Sequence, residues 1–412
     1  MEPGASSAGG NRARKSEASR IGIARTRNTR RLCLRNPGSE WAALLKDQPA
    51  DLSIRIASAA GLLGLVHFLT VKAIAKVRPE PGVELIDTPE PTVRPGEVLI
   101  QLEAASVCGT DLHIYQWDAW SASRIKPPRI IGHEFCGTIV ALGEGVTERS
   151  IGDFVASESH IVCGKCRQCQ LGQGHVCVNT TILGVDIDGG FAPLVAVPWQ
   201  NARPTSRDIP AKIASFQDAL GNAVHTAMQG PIEGQKILIT GLGPIGQFAA
   251  AVCRACGADT IAGTEISPYR IGIAEQLGMD LILNPKTDDV NAKLKALAPD
   301  GFDANLEMSG HPSSLDLAAT HVRPGGRISI LGVFHENVQP IRLNDLIFKG
   351  VDIQCVVGRR LWETWDQMGA LLSAGKLNLD PIVTHVMHYT EFSKAMELMQ
   401  AGEAGKVVFT FA

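Results

Sequence analysis

Cys163, Cys166, Cys169 and Cys177 stand in one run, C-G-K-C-R-Q-C-Q-L-G-Q-G-H-V-C. No other stretch limits so tightly what the surrounding chain can become. Three thiolates at three-residue spacing, with a fourth eight residues on, can close a tetrahedron around one zinc ion. Two other readings use the same residues. Two disulfides would require an oxidising compartment, and an iron–sulfur cluster normally has a different spacing. Ligand type and spacing favour zinc. Four protein ligands leave no position for a substrate, so the run reads as a structural clamp on a lobe at about residues 158–180. Any chemistry has to come from elsewhere.

A chain of 412 residues suits two or three domains. With 45% hydrophobic and 20% charged residues, it has the makings of a full-sized globular core. Charge is unevenly spread. Residues 1–70 hold 11 Lys+Arg against 5 Asp+Glu, so the remainder carries more acid than base and nucleic acid is not an expected partner. From Arg12 to Arg35 the arginines lie among Ser, Gly and Asn without apolar periodicity, which reads as disordered. The apolar run Ile56–Val71 falls short of the about 20 residues a membrane span needs, so no membrane partner is expected. Abundant Arg and Ser would suit a transit or export segment. Five acidic residues and the lack of a small-residue cleavage site count against that. The preferred reading is that residues 1–70 are a start-site artefact and that the native chain begins at Val71.

From Val71 to about Val197 the pattern is one of short β-like runs punctuated by Gly and Pro, as in an all-β lobe. From about Gly221 strands and helices alternate. Strand candidates at Lys236–Thr240, Thr260–Thr264, Leu281–Leu283, Asp303–Met308, Arg327–Leu331 and Val351–Val356 describe a doubly wound parallel sheet. The expected division is a catalytic domain over 71–221, a nucleotide domain over 222–358, and a return to the catalytic domain over 359–412.

Gly241, Gly243 and Gly246 form a G-x-G-x-x-G turn between an expected strand and an expected helix, the context in which that motif cradles a dinucleotide. The first glycine makes the tight turn, the second lets backbone approach a pyrophosphate, and the third permits close helix packing. The helix N-terminus favours the phosphate charge. Glu265, 19 residues after Gly246, sits where a carboxylate accepts hydrogen bonds from a ribose and repels a 2′-phosphate, so NAD is expected over NADP. Arg270, just beyond, would instead suit a phosphate.

Upstream lie Cys108-Gly-Thr-Asp-Leu-His113 and Gly132-His133-Glu134. With the four-cysteine run and the glycine turn, this set resembles the zinc-dependent medium-chain dehydrogenases over essentially all of residues 71–412. The segments I-Y-Q-W-D-A-W-S, L-G-N-A-V-H-T-A, E-M-S-G and W-E-T-W narrow the resemblance to the threonine-oxidising branch. The resemblance implies an α/β fold with an all-β, GroES-like catalytic domain and a Rossmann domain. It implies NAD and two Zn2+ per subunit, one catalytic and one structural, and L-threonine oxidised at C3 to L-2-amino-3-oxobutanoate. It also implies a cytoplasmic homotetramer of threonine catabolism paired through the edge strands of the nucleotide domain. Relatives begin on a short Met-Lys-Ala strand that matches Val71-Lys72-Ala73, which is the ground for the artefact reading.

Residue by residue, Cys108 and His133 match catalytic zinc ligands, and Glu134 matches an acidic residue that ligates the metal or stands behind it. Asp218 matches an acidic ligand or proton-relay partner; here Ala219 replaces the family's usual proline, which leaves both roles open. Thr110 and His113 match the proton relay. Leu331, Gly332, Val333, Val356 and Val357 are expected along the nicotinamide, and Ile245 at the pyrophosphate turn. His160, Trp117 and Trp120 are pocket candidates. Cys253 and Cys256 read as core, and Cys33, Cys136 and Cys355 have no partner pattern. Free thiols beside zinc thiolates fit a reducing compartment. The nearest rival reading is a polyol or secondary-alcohol dehydrogenase of the same superfamily. A non-catalytic NAD-binding relative is disfavoured because the metal and relay positions are all filled.

Overall fold

The strand Glu97–Ser106 alternates apolar and polar residues, and Val98, Ile100, Leu102 and Ala104 turn inward. In the computed structural model, which describes residues 70–411, this strand is the hub of a seven-stranded sheet. It pairs antiparallel with Glu134–Leu142, with Leu194–Pro198, and with the last strand, Lys406–Thr410. Register then sets the neighbourhood of the site. Ser106 lies opposite Glu134 on one side and opposite Val408 on the other, so distant stretches of the chain meet at one strand end. The expected amino-terminal extension, with its apolar run up to Leu69, lies outside the described residues.

Two short helices follow that hub strand, α1 (Gly109–Gln116) and α2 (Ala119–Arg124). Further on, α3 (Gln217–Ala227) is buried along nearly its whole circumference. The expected domain boundary at 221/222 falls inside this helix. One apolar core explains this: Ala104, Cys136 and Phe154 of the β lobe join Leu220, Ala223, Ile237 and Phe248 in a single cluster. A helix inside a shared core carries no linker signal.

The nucleotide-binding part is a six-stranded parallel sheet. Its strands are β1 (Lys236–Thr240), β2 (Thr260–Thr264), β3 (Leu281–Leu283), β4 (Phe302–Glu307), β5 (Val322–Ile330) and β6 (Asp352–Cys355). Their order is β3-β2-β1-β4-β5-β6, the doubly wound arrangement, whose order reverses between β1 and β4. Ile237, Leu238 and Ile239 are fully buried, as a strand covered on both faces requires. Strand β5 begins five residues earlier than its apolar run suggests, because Val322 pairs with Phe302 across a bulge before Arg327. The helix α4 (Pro244–Ala255) follows β1 across the glycine turn, with Pro244 in its first turn.

Candidate active site

The glycine turn obeys the steric logic of its motif. Gly241 has φ +90°, and a Cβ there would lie 2.7 Å from the Cβ of Ser309 at the end of β4. A Cβ on Gly246 would sit 2.0 Å from the carbonyl oxygen of Gly241, so strand and helix could not close together. The turn opens at the carboxyl ends of β1 and β4, the place where such sheets bind nucleotides. Glu265, buried at the end of β2, accepts hydrogen bonds from the backbone N–H of Leu242 at 3.0 Å, Ile266 at 2.8 Å and Ser267 at 3.0 Å. It ties the glycine turn to the next connection. Arg270 lies against the turn, a guanidinium nitrogen 3.9 Å from where a Gly243 Cβ would be, and its buried Nε has no protein partner. Leu331 and Gly332 lie half-buried at the end of β5, Val333 is exposed, and Val356 and Val357 follow β6. Ile245, half-buried, packs at the edge of the shared core.

In the four-cysteine lobe the sulfur separations are 3.5 Å for Cys166–Cys169, 3.7 Å for Cys166–Cys177 and 3.5 Å for Cys163–Cys177. A tetrahedron with zinc–sulfur arms of about 2.3 Å has edges of about 3.8 Å, so these thiols sit at coordination spacing and far outside disulfide bonding distance. Backbone donors point at the sulfurs: Cys166 N–H to Cys163, and Cys163 and Asn179 N–H to Cys177, each at 3.4 Å. The backbone of Lys165 and the side chain of Asn179 bring the Cys163 thiol down to about 6, so its thiolate is accessible near neutral pH.

The second candidate metal centre is assembled from two segments of the chain. Cys108 caps the start of α1, and His133 and Glu134 open the strand opposite the hub; one ligand atom from each lies within 4.8 Å of the others. These residues fit a zinc ion, with soft sulfur, imidazole and carboxylate as donors. The buried Nδ1 of His133 has no hydrogen-bond partner and lies 3.8 Å from Asp111 Oδ1, which is also unpartnered. Asp111 in turn accepts the Cys108 N–H through Oδ2 at 2.9 Å. Burial alone would lower the His133 pKa, but the charges of Cys108 and Asp111 outweigh it and raise it to about 10. A pocket that drives a buried imidazole toward a cation is one whose anionic donors call for positive charge.

Lys406, which sequence reading missed, pairs with Glu134 and donates to the carbonyl of Val107 at 3.0 Å. Ser106 also donates to Glu134. Burial would push the Glu134 carboxyl up, yet Lys406 and His133 outweigh it and hold it below the usual range. Asp218 lies outside the triad. It accepts from Ser159 N–H at 2.9 Å and pairs with Arg359 at 2.7 Å. That guanidinium also pairs with Glu158, a second buried carboxylate, which accepts from Trp365 Nε1 at 2.6 Å. His160 Nδ1 lies 2.6 Å from Arg359. Glu158 and Arg359 escaped sequence reading, and Trp365 entered it only within W-E-T-W, because no short spacing links such distant positions. The available signal was charge placed at the end of the otherwise apolar run Phe154-Val-Ala-Ser.

Thr110 Oγ lies 3.7 Å from the Cys108 sulfur, and His113 is exposed at the other end of α1. Trp120 meets the His113 ring edge-on at a centroid distance of 6.3 Å, and Trp117 covers Lys76. Both tryptophans thus lie at the end of α1, one against His113 and the other against Lys76. A separate cavity of about 850 Å3, lined by Thr264, Pro285, Asn291, Ser313 and Ser314 among others, opens beside the end of β2.

A metal triad on a β lobe joined through one core to a dinucleotide-binding sheet is the architecture of a zinc-dependent alcohol dehydrogenase. Residues 94–207 match the alcohol dehydrogenase GroES-like domain, and residues 244–374 match the zinc-binding dehydrogenase family. The chain is 46% identical to the L-threonine 3-dehydrogenase of Pyrococcus furiosus, over 82% of its own length and 97% of that protein. With the L-threonine 3-dehydrogenase of Pectobacterium atrosepticum it shares 42% identity, over 83% and 94%. Among solved structures, an alcohol dehydrogenase from E. coli CFT073 complexed with NADH superimposes with a TM-score of 0.76 at 27% identity, covering 83% of this chain and 99% of that one. The 2R,3R-butanediol dehydrogenase from Bacillus subtilis, at 24% identity and a TM-score of 0.75 over 83% and 100%, shares the fold. The chain belongs to the L-threonine 3-dehydrogenase family of zinc-dependent medium-chain dehydrogenases.

Proposed function

We propose that this protein oxidises L-threonine at C3 to L-2-amino-3-oxobutanoate, with NAD reduced to NADH. The observation that carries the reading is the Cys108–His133–Glu134 triad in a chain matching threonine enzymes over 97% of their length. Zinc, when bound, supplies Lewis acidity toward the substrate hydroxyl, and the nicotinamide serves as hydride acceptor. Cys108, His133 and Glu134 would hold the catalytic ion, and Cys163, Cys166, Cys169 and Cys177 a second, structural one. Thr110, half-buried beside the Cys108 sulfur, takes up the hydroxyl proton, and the exposed His113, about one turn on, hands it to solvent. Asp218 is held by Arg359 and acts from behind the triad.

For the cofactor, Gly241, Gly243 and Gly246 accommodate the pyrophosphate, with Ile245 at the turn and the unpartnered Nε of Arg270 beside it. Glu265 is the reason for NAD over NADP, since its carboxylate accepts ribose hydroxyls and repels a 2′-phosphate. Leu331, Gly332, Val333, Val356 and Val357 border the nicotinamide. Strand β6 is an edge strand bearing exposed Ile353. In the connection from β5 to β6, Val333, Val338, Ile347 and Phe348 also expose apolar surface, which supports pairing with a second copy within a homotetramer. No helix among the described residues is long and apolar enough to cross a membrane. Nine free cysteines among the described residues fit a reducing cytoplasm, where threonine catabolism would take place.

The test is NADH formation on the full chain with L-threonine, 2,3-butanediol and sorbitol, using NAD and NADP, with and without a chelator. Threonine with NAD should give the highest kcat/KM, and prolonged chelation should abolish it. Preference for a diol or polyol would overturn the reading.

A further inference from the structure

The segment Trp117-Asp-Ala-Trp-Ser121, which distinguishes this chain's relay loop, does more than line a pocket. Asp118 is the N-cap of α2, accepting from the Ser121 N–H through Oδ1 at 2.8 Å. Its other oxygen, Oδ2, lies 2.7 Å from Nδ1 of His113. An ionised carboxylate only accepts hydrogen bonds, so His113 must carry its proton on Nδ1. That leaves Nε2 as the ring's acceptor.

The backbone is bent to make this contact. Trp117 ends α1 in the left-handed region at φ 56°, and it is the one non-glycine residue with positive φ among the described residues. Such a conformation is strained for a residue with a Cβ. Lys76 offsets part of this: its ammonium lies 4.7 Å from the Trp117 ring centroid while donating to the carbonyl of Gly82 at 2.7 Å. With Trp117 so held, the chain reverses after α1 and returns Asp118 to a histidine one turn back. Trp120 meets the same ring edge-on at a centroid distance of 6.3 Å.

We propose that Asp118 is a positioning residue of the relay, which fixes the Nδ1–H tautomer of His113 so that Nε2 receives the outgoing proton. When Nε2 takes that proton, the imidazolium charge is paired with the Asp118 carboxylate, and its release to solvent restores the starting state. The inference rests on the proton-relay role given to His113 under the proposed function. The contact itself does not depend on that role.

Asp118→Asn separates the two duties of the side chain. The amide oxygen still caps α2, and the amide NH2 then faces His113 and demands the opposite tautomer. Turnover with threonine should fall by about tenfold or more, KM should stay within about twofold, and bound zinc should be unchanged. In a His113→Asn background the same substitution should have no further effect. Equal losses in both backgrounds would make Asp118 merely structural and overturn the proposal, as would unchanged turnover in the single variant. 15N NMR of histidine-labelled protein, with His113 assigned by comparison with His113→Asn, reads the tautomer without any assay. Nδ1–H in the unsubstituted protein and Nε2–H in Asp118→Asn are expected. Nε2–H in the unsubstituted protein would sink the idea even if threonine is the substrate, while absent threonine oxidation with Nδ1–H present would count against the functional reading alone.

Discussion

The two candidate metal centres differ in how they are built. The four-cysteine lobe draws all its ligands from 15 consecutive residues, and its thiols are stabilised by nearby backbone N–H groups. The triad at Cys108, His133 and Glu134 is gathered from two strand ends and surrounded by buried charge: Asp111, Lys406, and the Glu158–Arg359–Asp218 cluster. A local site can be closed by a short loop and asks little of the fold. A dispersed site exists only when several strands hold register, and its electrostatics depend on residues that never touch a ligand. The first design suits an ion that holds structure; the second suits an ion that must be tuned.

Substitutions can break this contrast. The largest effect on turnover should come from Cys108→Ser. Threonine oxidation should fall by on the order of a thousandfold or more, with one zinc per chain retained in the lobe. Metal analysis beside steady-state kinetics checks both, and retained activity would remove Cys108 from the triad.

Glu158→Gln should act mainly on stability. It leaves Arg359 facing Asp218 alone in a buried setting, a change that costs about 3–5 kcal/mol when a buried pair is broken. Although burial opposes it, Arg359 holds the Glu158 carboxyl well below the usual range. Its contribution is therefore complete above the unfolded value of about 4.3 and is lost as pH falls through the lower folded-state value. The gap in Tm between the two proteins should be full at neutral pH and narrow in strong acid; a gap independent of pH would mean Glu158 does not act as a charge.

The smallest effect on chemistry should come from Cys163→Ser. The lobe ion and some thermal stability should be lost, while kcat per folded molecule stays within about threefold. A collapse of kcat with the fold intact would erase the distinction between the two centres.

How legible each centre was follows from the same contrast. The lobe and the glycine turn could be read directly because their chemistry is encoded at fixed spacing, and the six strands of the nucleotide domain because each is a compact apolar run between turns. Cys108, His133 and Glu134 were legible through the resemblance to known dehydrogenases. Lys406 was not. It looks like an ordinary charge at the start of an apolar strand, and only the pairing of Lys406–Thr410 with Glu97–Ser106 brings it to Glu134. The division at 221/222 follows a change of pattern in the sequence, and the largely buried helix Gln217–Ala227 runs across it. No spacing in the sequence ties Asp118 to His113; the turn at Trp117 sets the two together.

By itself, then, the sequence determined the local chemistry: which thiols sit together, where a phosphate turn lies, and which strands bury both faces. These depend on spacing, and spacing is a property of the chain. The tertiary structure alone decided which charges meet. Glu134 with Lys406, Glu158 with Arg359, and His113 with Asp118 all depend on strand register or on a backbone reversal. The first two pairs are buried away from water, where an unpaired charge would be costly, so the fold had to supply a partner wherever it hid an ion.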